Sequence, residues 1–233
     1  MSVRVSIAAM AMGLWLMILL ISPSAMAVEL DFNISAPTSG TVSYAGGSSD
    51  LFGSNIEVDN VVGLSTPANA NVTSLCVSCV LNFNSGTLTG SGGSNQNNNG
   101  WWAFGPGGTI TITGGVQLQG ATDISPGSTL LSGMFNSAFV QDLGVQGFKV
   151  TFGSFSDTKD ADLLSYYGLT PGTPFQGALT LLFASADTEV GNPVTSTSVF
   201  SGNVVNAVVP LPAAALLFAS GLSGMAWHRR KGA

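Results

Sequence analysis

Histidine and arginine, on which many enzymes rely, are almost missing from this chain. It has one histidine, His228, and between residues 28 and 207 it has no histidine and no arginine. Ser-His-Asp and Cys-His catalytic arrangements are therefore excluded by count. Zinc needs about four nitrogen or sulfur ligands, and this stretch offers only Cys76 and Cys79. Positive charge is equally scarce. All 12 acidic residues of the chain lie in the stretch, against Lys149 and Lys159 alone, for a net charge of −10. A surface of that sign has no footprint for a phosphate backbone, which excludes nucleic acid as a partner.

The two cysteines form a C-x-x-C. A redox centre would need a reactive thiolate, usually at a helix N-terminus. The flanking VTSLCVSCVLNF is β-branched and turn-like, with no helix pattern after it. Cys76 and Cys79 are therefore read as a small structural disulfide or as free thiols, with no cofactor.

What the stretch does contain is period-two alternation. Glu29 to Ser35 alternates polar and apolar, and Pro37 to Gly40 turns the chain into Thr41–Ala45. Ile56, Val58, Val61 and Val62 flank Asp59-Asn60, a hairpin signal. Leu81, Phe83 and Leu88 flank Ser85-Gly86, and Thr109 to Thr113 reads as a strand ended by Gly114-Gly115. Further strands are expected over 129–140, 146–155, 175–186 and 196–205. The segments GTLTGSGG and GTITITGG are similar enough to be cousin hairpins. Short strands punctuated by Gly, Pro and Asn point to a mainly β domain, a β-sandwich or jelly-roll-like fold. One short helix is expected, capped by Asp157 or Thr158, with Leu163, Leu164 and Tyr167 as its apolar stripe and Gly168 after its end. Residues 91–100, SGGSNQNNNG, have nothing to bury and are expected to form a mobile polar loop.

Few residues in this domain suggest chemistry. Lys149, in GFKVTF, is expected to point from a strand to solvent rather than to activate a serine. Asp157, Asp160 and Asp162 could offer oxygens to calcium, although the spacing lacks the EF-hand pattern and helix capping explains the same residues. Trp101 and Trp102 stand beside an Asn-rich loop, and an exposed indole can stack on a sugar ring. Adjacent strand residues face opposite sides, so only one of the two can line a site.

The ends carry routing signals. Arg4, an apolar run from Ile7 to Ile21 and the A-x-A of Ala25 and Ala27 have the layout of a secretory signal peptide over residues 1–27. From Val208 to Trp227 there are twenty residues without a charge, followed by His228, Arg229, Arg230 and Lys231. As a helix, such a span covers about 30 Å, the thickness of a bilayer core, and the basic cluster would stay on the cytoplasmic side.

Val209, Pro210, Leu211, Pro212, Ala213 and Ala214, with Gly221, Leu222 and Gly224 in mid-span, resemble the PEP-CTERM sorting tails in their Val-Pro-Leu-Pro-Ala variant. The resemblance covers residues 208–233 only. It implies export across the inner membrane of a Gram-negative bacterium, transient anchoring there, and removal of the tail by an exosortase. It also implies a final place at the cell surface or outside, in association with exopolysaccharide or biofilm matrix.

The sequence reading is therefore an exported, non-enzymatic surface or extracellular-matrix protein whose domain spans residues 28–207. A carbohydrate-binding module using Trp101 or Trp102 is the alternative. A hydrolase built on paired carboxylates is a third reading.

Overall fold

The computed structural model describes residues 27–209, apart from 95, 96, 98, 145, 146, 187–189 and 191. The expected signal peptide before Ala27, the expected sorting tail from Pro210 and part of the polar stretch 93–100 lie outside the described residues; Ser91 and Gly92, expected in that loop, belong to a strand.

Twelve strands belong to a single antiparallel sheet. The first half holds β1 (Glu29–Ile34), β2 (Thr41–Tyr44), β3 (Asp50–Glu57), β4 (Asn60–Leu64), β5 (Thr73–Gly92) and β6 (Trp101–Phe104). The second holds β7 (Gly108–Val116), β8 (Ile124–Phe135), β9 (Ala138–Asp142), β10 (Phe148–Lys159), β11 (Phe175–Ser185) and β12 (Val194–Val208). Several of these are pieces of one longer line. β1 and β2 both run along β12, joined by a bridge from Thr38 to Val199. β4 and β3 likewise run along β5, as do β6 and β7 on its other side, and β8 and β9 share β10.

Counted this way there are eight lines, each hydrogen-bonded to its neighbours in sequence, and the last returns to the first. Glu29 pairs with Ala207 and Ile34 with Gly202. The sheet is thus a closed up-and-down barrel, not a sandwich of two sheets and not a jelly roll. Both architectures produce the same apolar-in, polar-out alternation, so the pattern alone did not separate them. Closure leaves no free sheet edge.

The alternation itself is obeyed. β1 buries Leu30, Phe32 and Ile34 and turns Glu29, Asp31 and Asn33 outward. The interior is filled with aromatic rings. Phe83 meets Phe152 across the barrel with centroids 4.7 Å apart, and Phe135 stacks on Phe152 at 4.0 Å. The outer wall carries residues such as Thr109, Thr111, Ser132, Ser156 and Thr158, the reverse of a lipid-facing barrel, whose outward band is apolar.

Several expected turns do not reverse the chain. Asp59-Asn60 does not close a hairpin, because β3 pairs with β2 and β4 with β1. Asp59 accepts from Ser35 N–H at 2.7 Å and Asn60 accepts from the Asn33 amide at 3.0 Å, so both side chains tie the line to its neighbour. Ser85-Gly86 lies within the 20-residue β5, where the Ser85 hydroxyl accepts from Leu51 N–H at 2.8 Å. β7 passes through Gly114-Gly115 by register shifts. The two Gly-Thr segments therefore lie in neighbouring long strands and are not separate hairpins.

One helix, α1 (Ala161–Tyr166), follows β10. Its cap is Asp160, whose carboxylate accepts from Asp162 N–H and Leu163 N–H at 2.9 and 3.1 Å; Asp157 and Thr158 are still in the strand. Gly168 (φ 74°) ends it, with Leu169 N–H reaching back to Leu164 O at 2.8 Å. Tyr167 is fully buried, its hydroxyl 3.1 Å from the carbonyls of Val61 and Val72 on the wall opposite β10. The helical connection thus crosses one mouth of the barrel and plugs it. Val28 and Val209 leave at this same mouth, with Val208 N–H bonded to Val28 O at 2.8 Å. Val209 N–H still bonds Pro174 O at 3.1 Å, so Val208 and Val209, the first residues of the uncharged stretch, are still held by the barrel.

Because β12 completes the ring, ending the chain at Ser201 strips β1 of all six of its β12 partners. That truncation is expected to abolish cooperative thermal unfolding, followed by circular dichroism. A native-like melt of the truncated chain would contradict the closed ring.

Candidate functional site

Trp101 and Trp102 are neighbours on β6 and fall on opposite faces of the barrel wall. Trp102 is 2% exposed and packs edge-on to Phe148 inside, centroids 5.7 Å apart. Its indole N–H is buried without a hydrogen-bond partner, beside a cavity of about 10 Å³ that Tyr44, Leu51 and Phe104 also line. A void of that size holds about one water, so this mouth is packed with side chains rather than hollow. Trp102 is core.

Trp101 points outward. Its indole covers two glycines of the neighbouring β5. A Cβ added at Gly92 would meet three indole atoms at 3.0 to 3.1 Å, and one at Gly90 two more at 3.5 to 3.6 Å. Near-equal distances to several ring atoms place the glycine under the ring face, so the indole lies flat against the wall. On the other side β9 presents Phe139, 42% exposed. The two ring planes are within 16° and their centroids 6.1 Å apart, too far for face-to-face contact. The rings are therefore offset neighbours. Gln141, paired with Trp101, and Lys149, paired with Gln141, continue the same outward face, and Thr151 pairs with Phe139. Phe139 escaped the sequence reading. Its one signal was Ala138-Phe139-Val140, three apolar residues in a row on a strand, of which one must face out.

The three aspartates considered for calcium have separate tasks. Asp160 caps α1, and Asp162 lies in the helix's first turn. Asp157 points into the barrel, where both its oxygens accept from Lys159 Nζ at 2.8 and 2.9 Å. Both side chains of that pair are fully buried, and the ammonium sits 3.7 Å from the Phe175 ring centre. Burial pushes Lys159 down to about 8 against the pull of Asp157, and burial raises Asp157 against the pull of Lys159. Both shifts run toward the neutral forms, so the ion pair persists against its own desolvation. The in-phase run Phe155, Asp157, Lys159 was the available sign that these charges face inward.

Other carboxylates serve the loops. Asp123 accepts from Leu118 N–H at 2.8 Å and Asp142 from Gly144 N–H at 2.7 Å. Among the described residues no group of three or more His, Cys, Asp or Glu converges as a metal would require.

Cys76 and Cys79 are free thiols astride a bulge of β5, where the pairing with β7 shifts register between Val77 and Val80. Cys79 is buried and its S–H donates to Gly115 O at 3.1 Å. The contact with Cys76 holds Cys79 below the ordinary thiol range, and the same contact, with burial, pushes Cys76 up. Strand continues on both sides of the pair, as the flanking residues implied.

Fold and site together define a closed, filled β-barrel with a solvent-facing aromatic pair on its outer wall. No protein-family model matches the chain, and neither does any curated protein or solved structure.

Two substitutions at the tryptophans should separate core from surface. Trp102→Ala is expected to lower stability by roughly 3–5 kcal/mol, as large-to-small core changes do, whereas Trp101→Ala should cost clearly less; equal losses in urea unfolding would contradict the two-faced placement. Lys159→Met leaves the Asp157 carboxylate buried alone and should cost about 3–5 kcal/mol, most of it recovered by adding Asp157→Leu. The folded pKa of Lys159 lies below its unfolded value, so stability should grow as pH rises from about 8 toward 10.5. Lys159→Met should remove that rise. A wild-type stability flat across this window would contradict the assignment.

Proposed function

We propose that this chain is an exported, non-enzymatic surface or extracellular-matrix protein, associated with exopolysaccharide and routed through its C-terminal tail by an exosortase. The observation that carries the reading is the seam. Because β1 and β12 are neighbours, the signal-peptide junction at Ala27 and the tail beginning at Val209 leave the barrel at one mouth, within one hydrogen bond of each other. Both processing steps then act on chain outside the ring, and the opposite mouth stays turned away from the membrane while the tail is inserted. Val209, Pro210, Leu211, Pro212 and Ala213 supply the recognition segment of this reading, and Arg229, Arg230 and Lys231 its cytoplasmic stop.

A second reading, a carbohydrate-binding module, is favoured by one observation: the half-buried Trp101 points outward beside the exposed Phe139, with the two rings nearly parallel. Trp102 has no part in it.

Mature protein from the native host is expected to lack His228 to Ala233, and deletion of the exosortase should restore them. Intact-mass spectra showing the complete C-terminus in both strains would overturn the sorting reading.

A further inference from the structure

We propose that Trp101 and Phe139 form a two-ring platform on the outer wall that docks a neutral polysaccharide chain, with Gln141, Lys149 and Thr151 along its border. The inference rests on the carbohydrate-binding reading and goes further, since it names a second ring, the surface beneath both, and the class of polymer.

Four features of the wall lead here. Trp101 lies flat because β5 offers Gly90 and Gly92 beneath it. One indole face is therefore spent on the sheet and the other is left for a ligand. Phe139 lies nearly parallel to the indole, 16° away, with its centroid offset by 6.1 Å. Successive sugar rings of a glycan are likewise offset along the chain, so adjacent rings of the polymer can each meet one aromatic ring. The axial C–H groups of a pyranose carry slight positive charge and meet the negative face of an aromatic ring.

Phe52, Phe139 and Phe200 are the exposed rings on the described strands, and Phe139 is the one with an outward indole parallel to it. Contiguous exposed apolar surface on a soluble domain marks a binding site more often than chance. Around the rings, Gln141 can both donate and accept toward hydroxyls, the Thr151 hydroxyl can do the same, and Lys149 can donate.

Charge selects among polymers. The domain carries −10, and Lys159, its second lysine, is sequestered with Asp157. A polyanion would be repelled along most of its length. A neutral chain meets no such penalty. Position fits the same reading, because β6 begins after the 93–100 loop, at the mouth opposite both chain ends. While the tail holds the protein at a membrane, the platform faces outward.

The test is affinity electrophoresis of the full chain in a mild non-ionic detergent, through gels containing a neutral β-glucan, a neutral α-glucan or a polyuronate. Retardation by at least one neutral glucan is expected, unchanged by added salt or by a chelator. Trp101→Ala should weaken it about tenfold or more, in line with the loss of one stacked ring. Phe139→Ala should weaken it severalfold. Gly92→Thr should also weaken it, because the new Cβ lifts the indole while the ring itself is retained; melting curves of each variant confirm that the barrel is intact. Met134→Ala, at an exposed apolar residue elsewhere on the wall, should leave retardation unchanged.

If Trp101→Ala abolishes retardation but Phe139→Ala and Gly92→Thr do not, a single ring binds. The platform then fails and the carbohydrate-binding reading stands. If neither neutral glucan retards the protein, both fail. Retardation by polyuronate alone, lost on adding salt, overturns the neutral-polymer assignment. A change in oligomeric state of Trp101→Ala on size-exclusion chromatography would assign the rings to self-association instead.

Discussion

The backbone ladder between β1 and β12 is the constraint on which the rest of the molecule depends. It joins residues from opposite ends of the domain, pairing Glu29 with Ala207 and Ile34 with Gly202. Apart from the short β2–β12 pairing and the Thr38–Val199 bridge on the same seam, every other pairing in the ring connects lines that are neighbours in sequence and can form early and locally. The seam cannot, since its partners are separated by nearly the whole domain and loop closure is costly at that separation. Once made, it removes the only two free edges of an eight-line sheet, each of which would otherwise expose unpaired N–H and C=O groups.

A closed sheet of this size encloses a space that side chains can just fill. Here the filling is aromatic. Phe83, Phe135 and Phe152 lock the middle, Trp102 and Phe148 occupy one mouth, and Tyr167 reaches the Val61 and Val72 carbonyls at the other. The Asp157–Lys159 pair brings charge into this interior, where Asn206 is also fully buried. The pair lies near the plugged mouth, under the first residues of α1, with the Phe175 ring against its ammonium. Apolar residues of similar size would serve packing as well or better, so the pair is no net source of stability over an apolar core.

A filled interior moves any binding function to the outside. The outer wall is rich in threonine, serine and asparagine, interrupted by exposed apolar residues such as Phe52, Leu75, Met134 and Phe200 and by the Trp101–Phe139 pair. That pair depends on glycine at two positions of a different strand, so the site is a property of three adjacent lines and not of the WWAF motif alone. The seam bears on function too, since it brings both processing points to one mouth and leaves the other clear.

The sequence by itself determined the class of secondary structure and the facing of most residues. Leu30, Phe32 and Ile34 alternate with Glu29, Asp31 and Asn33, and only a half-buried strand satisfies that pattern. It also determined the helix, through Leu163, Leu164 and Gly168, and the two-faced character of the Trp101-Trp102 pair. Only the tertiary structure decided that the sheet closes. Alternation reports which face is buried, and a sandwich and a barrel bury the same face. Asp59-Asn60, Ser85-Gly86 and Gly114-Gly115 resembled turns because turn propensity is local, whereas partners on both sides held these residues extended. Which tryptophan faces solvent also waited on the tertiary structure, since a shift of one residue in register exchanges the faces. Phe139 joined the site for the same reason: it lies far from Trp101 in sequence, and strand pairing places it alongside.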